Sequence, residues 1–145
     1  MSKESMAFPV FVVSGGFVKG YKKNIIPLRR CNLYGLVKGF YQDASVYDHE
    51  GNVWTVADMD SPYQINLWTK LIANLFFNPR IIVRLTWAKT GTYSYKDFQE
   101  VLCDIVDKDE DYLTEQLGHD ELITLIQDAE SFDFLFDTLK KKKVV

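Results

Sequence analysis

The sequence predicts a single α+β domain over residues 1–145, with a mainly antiparallel sheet packed on a central helix and short helices at the C-terminal end. Three observations support this fold class. Short, β-prone segments fill most of the first 57 residues. A wide apolar helical face follows over residues 61–77, and three segments with helix-start signals complete the chain. A chain of 145 residues is long enough to bury a substantial core in one domain.

The first strand is predicted at residues 8–13, where aromatic and β-branched residues indicate a strand buried on both faces or lying at an edge near Pro9. Gly15 and Gly16 end it in a tight turn, because no phosphate-binding glycine pattern surrounds them. Residues 17–30 contain five basic residues and are interpreted as a solvated connection or a lysine-guarded edge strand. Contact with nucleic acid is the alternative for this basic segment.

Three further β segments are predicted before residue 57. Residues 33–41 are interpreted as a strand weakened by two glycines. Residues 44–47 and 52–56 alternate in polarity around a short polar turn, which is the clearest hairpin signal in the chain.

The turn of this hairpin contains Asp48, His49 and Glu50, and it has two interpretations. One is an acid–base or metal cluster. The other is ordinary turn formation, in which neighbouring side chains diverge or point to solvent. Turn formation is favoured, because no second cluster of His or Cys completes a site.

A helix is predicted over residues 61–77, and the sheet is expected to pack around it. Ser61 is a natural N-cap, and Pro62 suits the first turn because the missing N–H has no partner there. Asn78 and Pro79 end the helix. Its apolar face consists of Ile65, Trp68, Leu71, Ile72, Leu75 and Phe76.

Residues 80–87 alternate in polarity and are predicted to form an interior strand of the sheet, followed by a turn at residues 90–92. One face of this strand is expected to pack on the central helix. That face carries Ile81, Val83, Leu85 and Trp87.

The last third of the chain is predicted to form three helices. Ser94 and Asp97 resemble a capping box that opens the first of them. Asp120 is expected to cap the second and Ser131 the third. The lysines at residues 140–143 suit the end of the last helix, where the helix dipole favours cations. The apolar side of the first helix carries Phe98, Val101, Leu102 and Ile105.

Acidic residues alternate from Asp107 onward and resemble the start of a calcium-binding EF-hand loop. The sixth position of such a loop needs Gly and holds Tyr112, and the twelfth needs Glu and holds Gly118. This loop cannot close around calcium in the usual way. We therefore interpret the segment as an acidic helix boundary, followed by a short helical turn at residues 112–117.

Charge is unevenly distributed along the chain, whose formal net charge is −3. The first 80 residues carry 9 Lys and Arg against 6 Asp and Glu, and the last 65 carry 8 against 14, so the two parts have net charges of +3 and −6. From Asp97 to Asp137 there are 14 acidic residues and one basic residue, Lys108. Such a segment repels nucleic acid and attracts a basic protein.

Cys31 and Cys103 show no metal-binding spacing and are expected to be reduced core residues. The N-terminal segment lacks the features of a signal peptide. No stretch approaches the roughly 20 apolar residues that a membrane span requires. The expected localisation is therefore cytoplasmic, with no membrane partner.

No catalytic residue, metal site or cofactor is predicted. His49 and His119 are the two histidines of the chain, and neither accompanies a recognisable nucleophile motif. Cys31 is the better candidate for thiol reactivity, because neighbouring arginines can lower a thiol pKa, but no base is placed beside it. The carboxylates of the last third form a general acidic field, with no pair set apart by an apolar environment.

The favoured function is a non-catalytic acidic protein that binds a basic partner. A small, acidic α+β chain with the hairpin of residues 47–55 resembles the immunity proteins of bacterial toxin systems. This resemblance implies that the chain neutralises a cognate toxin, such as a nuclease with a basic substrate cleft, by covering its active site. Acidic helices that are simply solvated are the alternative interpretation. The expected partner-binding residues are Asp107, Asp109, Glu110, Asp111, Glu115, Asp120 and Glu121.

A small enzyme or ligand-binding domain is the alternative function, with a pocket between sheet and helices. The aromatic residues considered for its lining are Tyr34, Tyr41, Trp54, Trp68 and Trp87. Aromatic residues also fill protein cores, and that interpretation of these five is favoured at this chain length.

Overall fold

The computed structural model describes residues 5–15, 17–61, 66–69, 71, 79–108 and 117–145. The strands in these ranges are β1 (Val10–Ser14), β2 (Phe17–Tyr21), β3 (Arg30–Asn32), β4 (Ser45–Asp48), β5 (Asn52–Asp60), β6 (Arg80–Ile82) and β7 (Arg84–Thr92). Five of them form an antiparallel sheet in the order β2-β1-β4-β5-β7, and β3 pairs with β6 in a separate two-stranded sheet. The predicted α+β class is confirmed.

The helices of the described ranges are a 3-10 helix (Ile26–Arg29), α1 (Leu33–Val37), α2 (Tyr95–Lys108), α3 (His119–Asp128) and α4 (Phe132–Lys141). The capping box that opens α2 is confirmed, because the Ser94 hydroxyl accepts a hydrogen bond from the N–H of Asp97 at 3.1 Å. Ser131 caps α4 as predicted, since its hydroxyl accepts a hydrogen bond from the N–H of Phe134 at 3.1 Å.

The predicted start of α3 at Asp120 is wrong by two residues. Gly118 is the N-cap, and Asp120 lies in the first turn of the helix. An acidic residue there still favours the helix, because the first turn carries the positive end of the helix dipole. Of the short helical turn predicted at residues 112–117, all but Leu117 lies outside the described residues.

β1 lies between β2 and β4, and its side chains alternate between two apolar cores. Val10 and Val12 face one core and Phe11 faces the other, and all three are completely buried. The predicted burial of the first strand on both faces is therefore confirmed. β2 is an edge strand that carries the exposed Lys19, in agreement with the predicted lysine-guarded edge.

α2, α3 and α4 cover one face of the sheet. Phe11 contacts three aromatic rings of this helical layer, with ring centroids 5.0 Å from Phe98, 5.3 Å from Phe132 and 5.4 Å from Phe136. Gly20 of β2 permits the approach of Phe136, because a Cβ atom at this position would lie 2.6 Å from its ring. This core is held together mainly by aromatic packing.

Shorter elements cover the opposite face of the sheet. Leu28 of the 3-10 helix and Leu36 of α1 are buried in the same core as Val10 and Val12 of β1. Tyr41 joins these elements, because its hydroxyl donates a hydrogen bond to the carbonyl of Leu28 at 2.6 Å. The two-stranded sheet contributes Ile81 to the same core.

The predicted strand at residues 33–41 is wrong, because this segment begins with helix α1. The side chain of Asn32 accepts a hydrogen bond from the N–H of Gly35 at 2.7 Å and so caps the helix. Leu33 and Leu36 are three residues apart, which places both on one side of the helix, and both are buried.

The predicted strand at residues 80–87 is two strands, because β6 pairs with β3 and β7 pairs with β5. Val83 lies between them, completely buried, and its N–H donates a hydrogen bond to the carbonyl of Arg29 at 2.9 Å. β7 is at the edge of its sheet and continues through residues 90–92, so the predicted interior position and turn are both wrong. The apolar face predicted for residues 80–87 does pack in the core covered by the short elements, through Ile81, Val83, Leu85 and Trp87.

Most of the helix predicted at residues 61–77 lies outside the described residues. Residues 67–69 and 71 are helical, yet the side chain of Trp68 is 68% exposed and that of Leu71 is 50% exposed. These exposures contradict the expectation that both side chains face the sheet. Among the described elements, β1 takes the organising role, because both cores meet at this strand.

Candidate functional site: an acidic helical face

Four exposed carboxylates form a line along α2, and we call this line the α2 stripe: Asp97, Glu100, Asp104 and Asp107. Their spacing of three, four and three residues keeps them on one side of a helix with about 3.6 residues per turn. The opposite side of α2 is buried through Phe98, Leu102 and Val106. The stripe faces outward because the apolar side of the helix is fixed on the sheet.

Hydrogen bonds between α2 and the end of α3 hold the stripe in place. The amide nitrogen of Gln99 donates to the carbonyls of Ile126 at 2.8 Å and Ala129 at 3.2 Å. The hydroxyl of Tyr95 also donates to the carbonyl of Ala129, at 2.8 Å. These bonds satisfy carbonyls that a helix end leaves without partners, so they fix both helices together.

Further exposed carboxylates extend the negative surface over α3, α4 and the connection between them. They are Asp120, Glu121, Asp128, Glu130, Asp133 and Asp137. Together with the α2 stripe, these six residues make up the acidic face.

Within the described ranges, the basic side chains that contact the acidic face are histidines. Asp107 and Asp120 pair with His119, and Asp133 pairs with His49. No Lys or Arg forms an ion pair with any of the ten described carboxylates. Most of the negative charge of the acidic face is therefore available to an external cation.

His119 joins the last turn of α2 to the first turn of α3. Its Nε2 lies 2.7 Å from a carboxylate oxygen of Asp107, and its Nδ1 lies 3.0 Å from one of Asp120. Hydrogen bonds to Asp120, followed by those to Asp107, raise the pKa of this exposed imidazole. In the protonated form both ring nitrogens donate, so one imidazolium binds both carboxylates.

His49 connects the β4–β5 turn to the helical layer. Its Nε2 lies 3.0 Å from a carboxylate oxygen of Asp133 in α4. Its ring also meets Phe132 edge to face, with the centroids 5.9 Å apart. Residue spacing does not predict this contact, because His49 and Asp133 are 84 positions apart in the chain.

The structure describes three of the seven predicted partner-binding residues. Asp107, Asp120 and Glu121 are exposed, and the first two meet at His119. The other four lie outside the described residues: Asp109, Glu110, Asp111 and Glu115. The prediction omitted three carboxylates of the α2 stripe, although their helical spacing was visible in the sequence: Asp97, Glu100 and Asp104.

Asp48 supports the β4–β5 turn from inside the protein. One carboxylate oxygen accepts hydrogen bonds from the N–H groups of Glu50 at 3.0 Å and Asn52 at 2.9 Å. The other accepts from the indole N–H of Trp54 at 2.7 Å. The Tyr93 hydroxyl donates to the backbone carbonyl of Asp48. The turn interpretation is confirmed, but Asp48 is completely buried and does not point to solvent.

The two cysteines contact different cores. Cys31 packs against the core covered by short elements and Cys103 against the core of the helical layer, and both thiols are free. Burial raises the pKa of the Cys31 thiol, and a hydrogen bond with Tyr41 opposes this increase to a smaller extent. The expectation that neighbouring arginines lower this pKa is wrong, because desolvation is the dominant effect.

The five aromatic residues considered as a pocket lining do not share one pocket. Tyr41 is buried in the core, whereas Tyr34 and Trp68 are exposed. Trp54 and Trp87 do line a common cleft, which lies on the side of the sheet covered by short elements.

No known family model, no curated protein and no solved structure matches this chain. Within the residues described above, no group of three or more His, Cys, Asp or Glu side chains is arranged to hold a metal ion. In the same ranges, no helix combines the length and the apolar character needed to cross a membrane.

Proposed function

We propose that this chain is a non-catalytic binding protein whose acidic face covers a basic protein surface, and that it acts as an immunity protein against a cognate bacterial toxin. The observation that carries this proposal is the α2 stripe. Its four carboxylates are exposed and aligned, and none of them pairs with Lys or Arg within the described ranges. A partner with clustered lysines or arginines supplies the missing counter-charges.

The construction of the helical layer supports binding without large rearrangement. Phe98 and Leu102 anchor α2 on the sheet, and Gln99 fixes it to α3. Carboxylates on a fixed helix lose less freedom on binding than carboxylates on a loop. A surface of one sign also accelerates association with a surface of the opposite sign.

Nucleases are a suitable class of toxin target for this face. The α2 stripe places four negative charges along about 15 Å of helix, or one per roughly 5 Å. One strand of duplex DNA places a phosphate every 3.4 Å or so along the helix axis. A cleft that attracts phosphates therefore also attracts a line of carboxylates with comparable spacing.

A pair of matched variants tests the proposal. Glu100→Lys with Asp104→Lys reverses the middle of the α2 stripe, and Asp58→Lys with Asp60→Lys makes the same charge change on β5, at exposed residues outside the acidic face. Binding is measured over a range of salt concentrations against the toxin domain that this proposal expects the neighbouring reading frame to encode. We expect the stripe variant to lose about tenfold or more in affinity at low salt, with a smaller difference at high salt. The β5 variant stays within about threefold of the unmodified chain.

Equal losses in both variants would show that net charge alone matters, and unchanged binding in the stripe variant would show that the partner binds elsewhere. Immunity is tested separately by expressing the toxin domain in cells that also produce this chain. We expect the unmodified chain and the β5 variant to restore growth, and the stripe variant to protect poorly. A chain that binds the toxin domain but does not restore growth would contradict the immunity function.

A further inference from the structure

A cleft opens on the side of the sheet opposite to the acidic face. It has a volume of about 310 Å³, at the lower end of the range of about 300–1,000 Å³ that is typical of small-molecule sites. Its aromatic walls are formed by Phe8, Trp54 and Trp87, and Leu85 adds an aliphatic wall. We call it the aromatic cleft.

Two of the three aromatic walls, Trp54 and Trp87, are held by contacts outside the cleft. Trp54 is only 5% exposed, and its indole N–H is bonded to Asp48, so this residue offers the cleft an apolar surface. Trp87 belongs to β7, where it pairs with Val56 of β5. A surface held in this way is formed before any ligand arrives, which favours binding.

The polar groups of the aromatic cleft are cationic or neutral. Arg29 lines it, and its side chain forms no ion pair or hydrogen bond with any residue that the structure describes. Trp87 also lines it, and its indole N–H likewise has no hydrogen-bond partner among the described residues. Asn24 also lines it, and its side-chain oxygen already accepts a hydrogen bond from the N–H of Ile26 at 3.1 Å. No described Asp or Glu lines the cleft.

The backbone that carries Arg29 is itself held in place. Its carbonyl accepts a hydrogen bond from the N–H of Val83 at 2.9 Å, and the preceding residue Leu28 is buried in the core. A guanidinium group binds a carboxylate through two parallel hydrogen bonds, and aromatic walls favour a flat apolar group. One unpaired guanidinium group matches one negative charge.

We propose that the aromatic cleft is a binding site for a small organic anion that combines a flat aromatic body with one carboxylate. The carboxylate pairs with Arg29, and the ring lies against Trp54, Trp87 and Phe8. This site does not depend on the function proposed above, because it shares no residue with the acidic face.

The test uses 2-naphthoate as the probe and the indole N–H signals of the full chain as the readout. Trp68 is an internal control, because it does not line the cleft. We expect the Trp87 signal to shift in a saturable manner at millimolar or lower 2-naphthoate, while the Trp68 signal stays in place. Acetate has the charge without the ring, and 2-naphthylmethanol has the ring without the charge. Both should bind at least about tenfold more weakly.

A matched pair of variants tests the role of the charge. Arg29→Gln should weaken 2-naphthoate binding by about tenfold or more, whereas Arg30→Gln should change it by less than about twofold. Both residues are exposed neighbours, but only Arg29 lines the cleft, and equal urea midpoints will show that both variants fold. The proposal is overturned by the absence of a saturable Trp87 shift, by equal binding of 2-naphthylmethanol, or by equal losses in the two variants.

Discussion

The two faces of the five-stranded sheet carry layers that differ in charge and in construction. Among the described residues, positions 97–137 carry ten acidic residues and one Lys or Arg, Lys108, whereas residues 22–42 contain five basic residues and no acidic residue. Three helices of 10 to 14 residues form the first layer. The second is built from a 3-10 helix, the five-residue helix α1 and a two-stranded sheet.

This difference shows how one sheet supports two kinds of surface. Regular helices pack side by side and present a broad face with evenly spaced charges, which suits a protein partner. On the other side, the aromatic cleft lies between the N-terminal segment, the 3-10 helix, β5 and β7, and a concave region of this kind suits a small ligand. β1 serves both layers, because its alternate residues point to opposite faces of the sheet.

The largest expected effect on stability is in the helical layer. Phe98→Ala should reduce the free energy of unfolding by about 4 kcal/mol, because it removes a completely buried ring that contacts Phe11 and Tyr47. Phe134→Ala is the matched control in the same layer, where the ring is 58% exposed and the loss should stay under about 1 kcal/mol. Urea unfolding measures both. Similar losses in the two variants would contradict the assignment of Phe98 to the core.

Asp48 should be the next most sensitive position, because it is completely buried and its carboxylate accepts hydrogen bonds from the β4–β5 turn and from Trp54. Asp48→Ala leaves the indole N–H of Trp54 and the N–H groups of the turn without an acceptor, so we expect a loss of about 3 kcal/mol. Asp43→Ala is the control, since that carboxylate is exposed. Urea unfolding gives the free energies, and the indole N–H signal of Trp54 reports the lost hydrogen bond. An unchanged signal would refute the proposed contact.

Gly20→Ala tests the fit between sheet and helical layer. The new Cβ atom would lie 2.6 Å from the ring of Phe136, so we expect a loss of about 2 kcal/mol. Gly91→Ala is the control on β7, where nothing lies within 4 Å of the added atom, and it should be neutral or slightly stabilising. A smaller side chain in Phe136→Leu should recover part of the Gly20→Ala loss in urea unfolding. Additive effects of these two substitutions would rule out the steric explanation.

His119 should give the smallest effect, because its side chain is exposed. Its folded-state pKa is raised, so its contribution to stability is fully present below about pH 6.5 and is lost as the pH rises through the folded value. Asp107→Asn should lower this pKa, whereas Asp104→Asn, which removes a carboxylate without contact to His119, should lower it less. Titration of the ring protons by NMR measures the change. Equal pKa values in both variants would contradict the specific pairing.

Local signals made several elements of this fold predictable. The caps at Ser94 and Ser131 and the β4–β5 hairpin depend on residues within a few positions of each other. The same is true of the α2 stripe, whose spacing can be read directly from the helical period. Contacts between distant segments were not predictable, and the pair His49 and Asp133 is the clearest case.

The failed predictions show where nearby residues mislead. In α1, the cap from Asn32 and the burial of Leu33 and Leu36 outweigh the strand propensity of the segment. Residues 80–87 alternate in polarity without a local break. They nevertheless form two strands on either side of Val83, because β6 pairs with β3 and β7 pairs with β5. The aromatic cleft combines residues from the N-terminal segment, the 3-10 helix, β5 and β7, and no short pattern connects them.

The most direct test of the central claim compares amide hydrogen exchange in the free chain and in its complex with the toxin domain that the proposed function expects. Slower exchange on binding should concentrate in α2 and α3, around the α2 stripe, while amides of the 3-10 helix and β3 keep their free-chain rates. Protection confined to the 3-10 helix and the β3–β6 sheet, with α2 unchanged, would contradict the account of the acidic face as the binding surface.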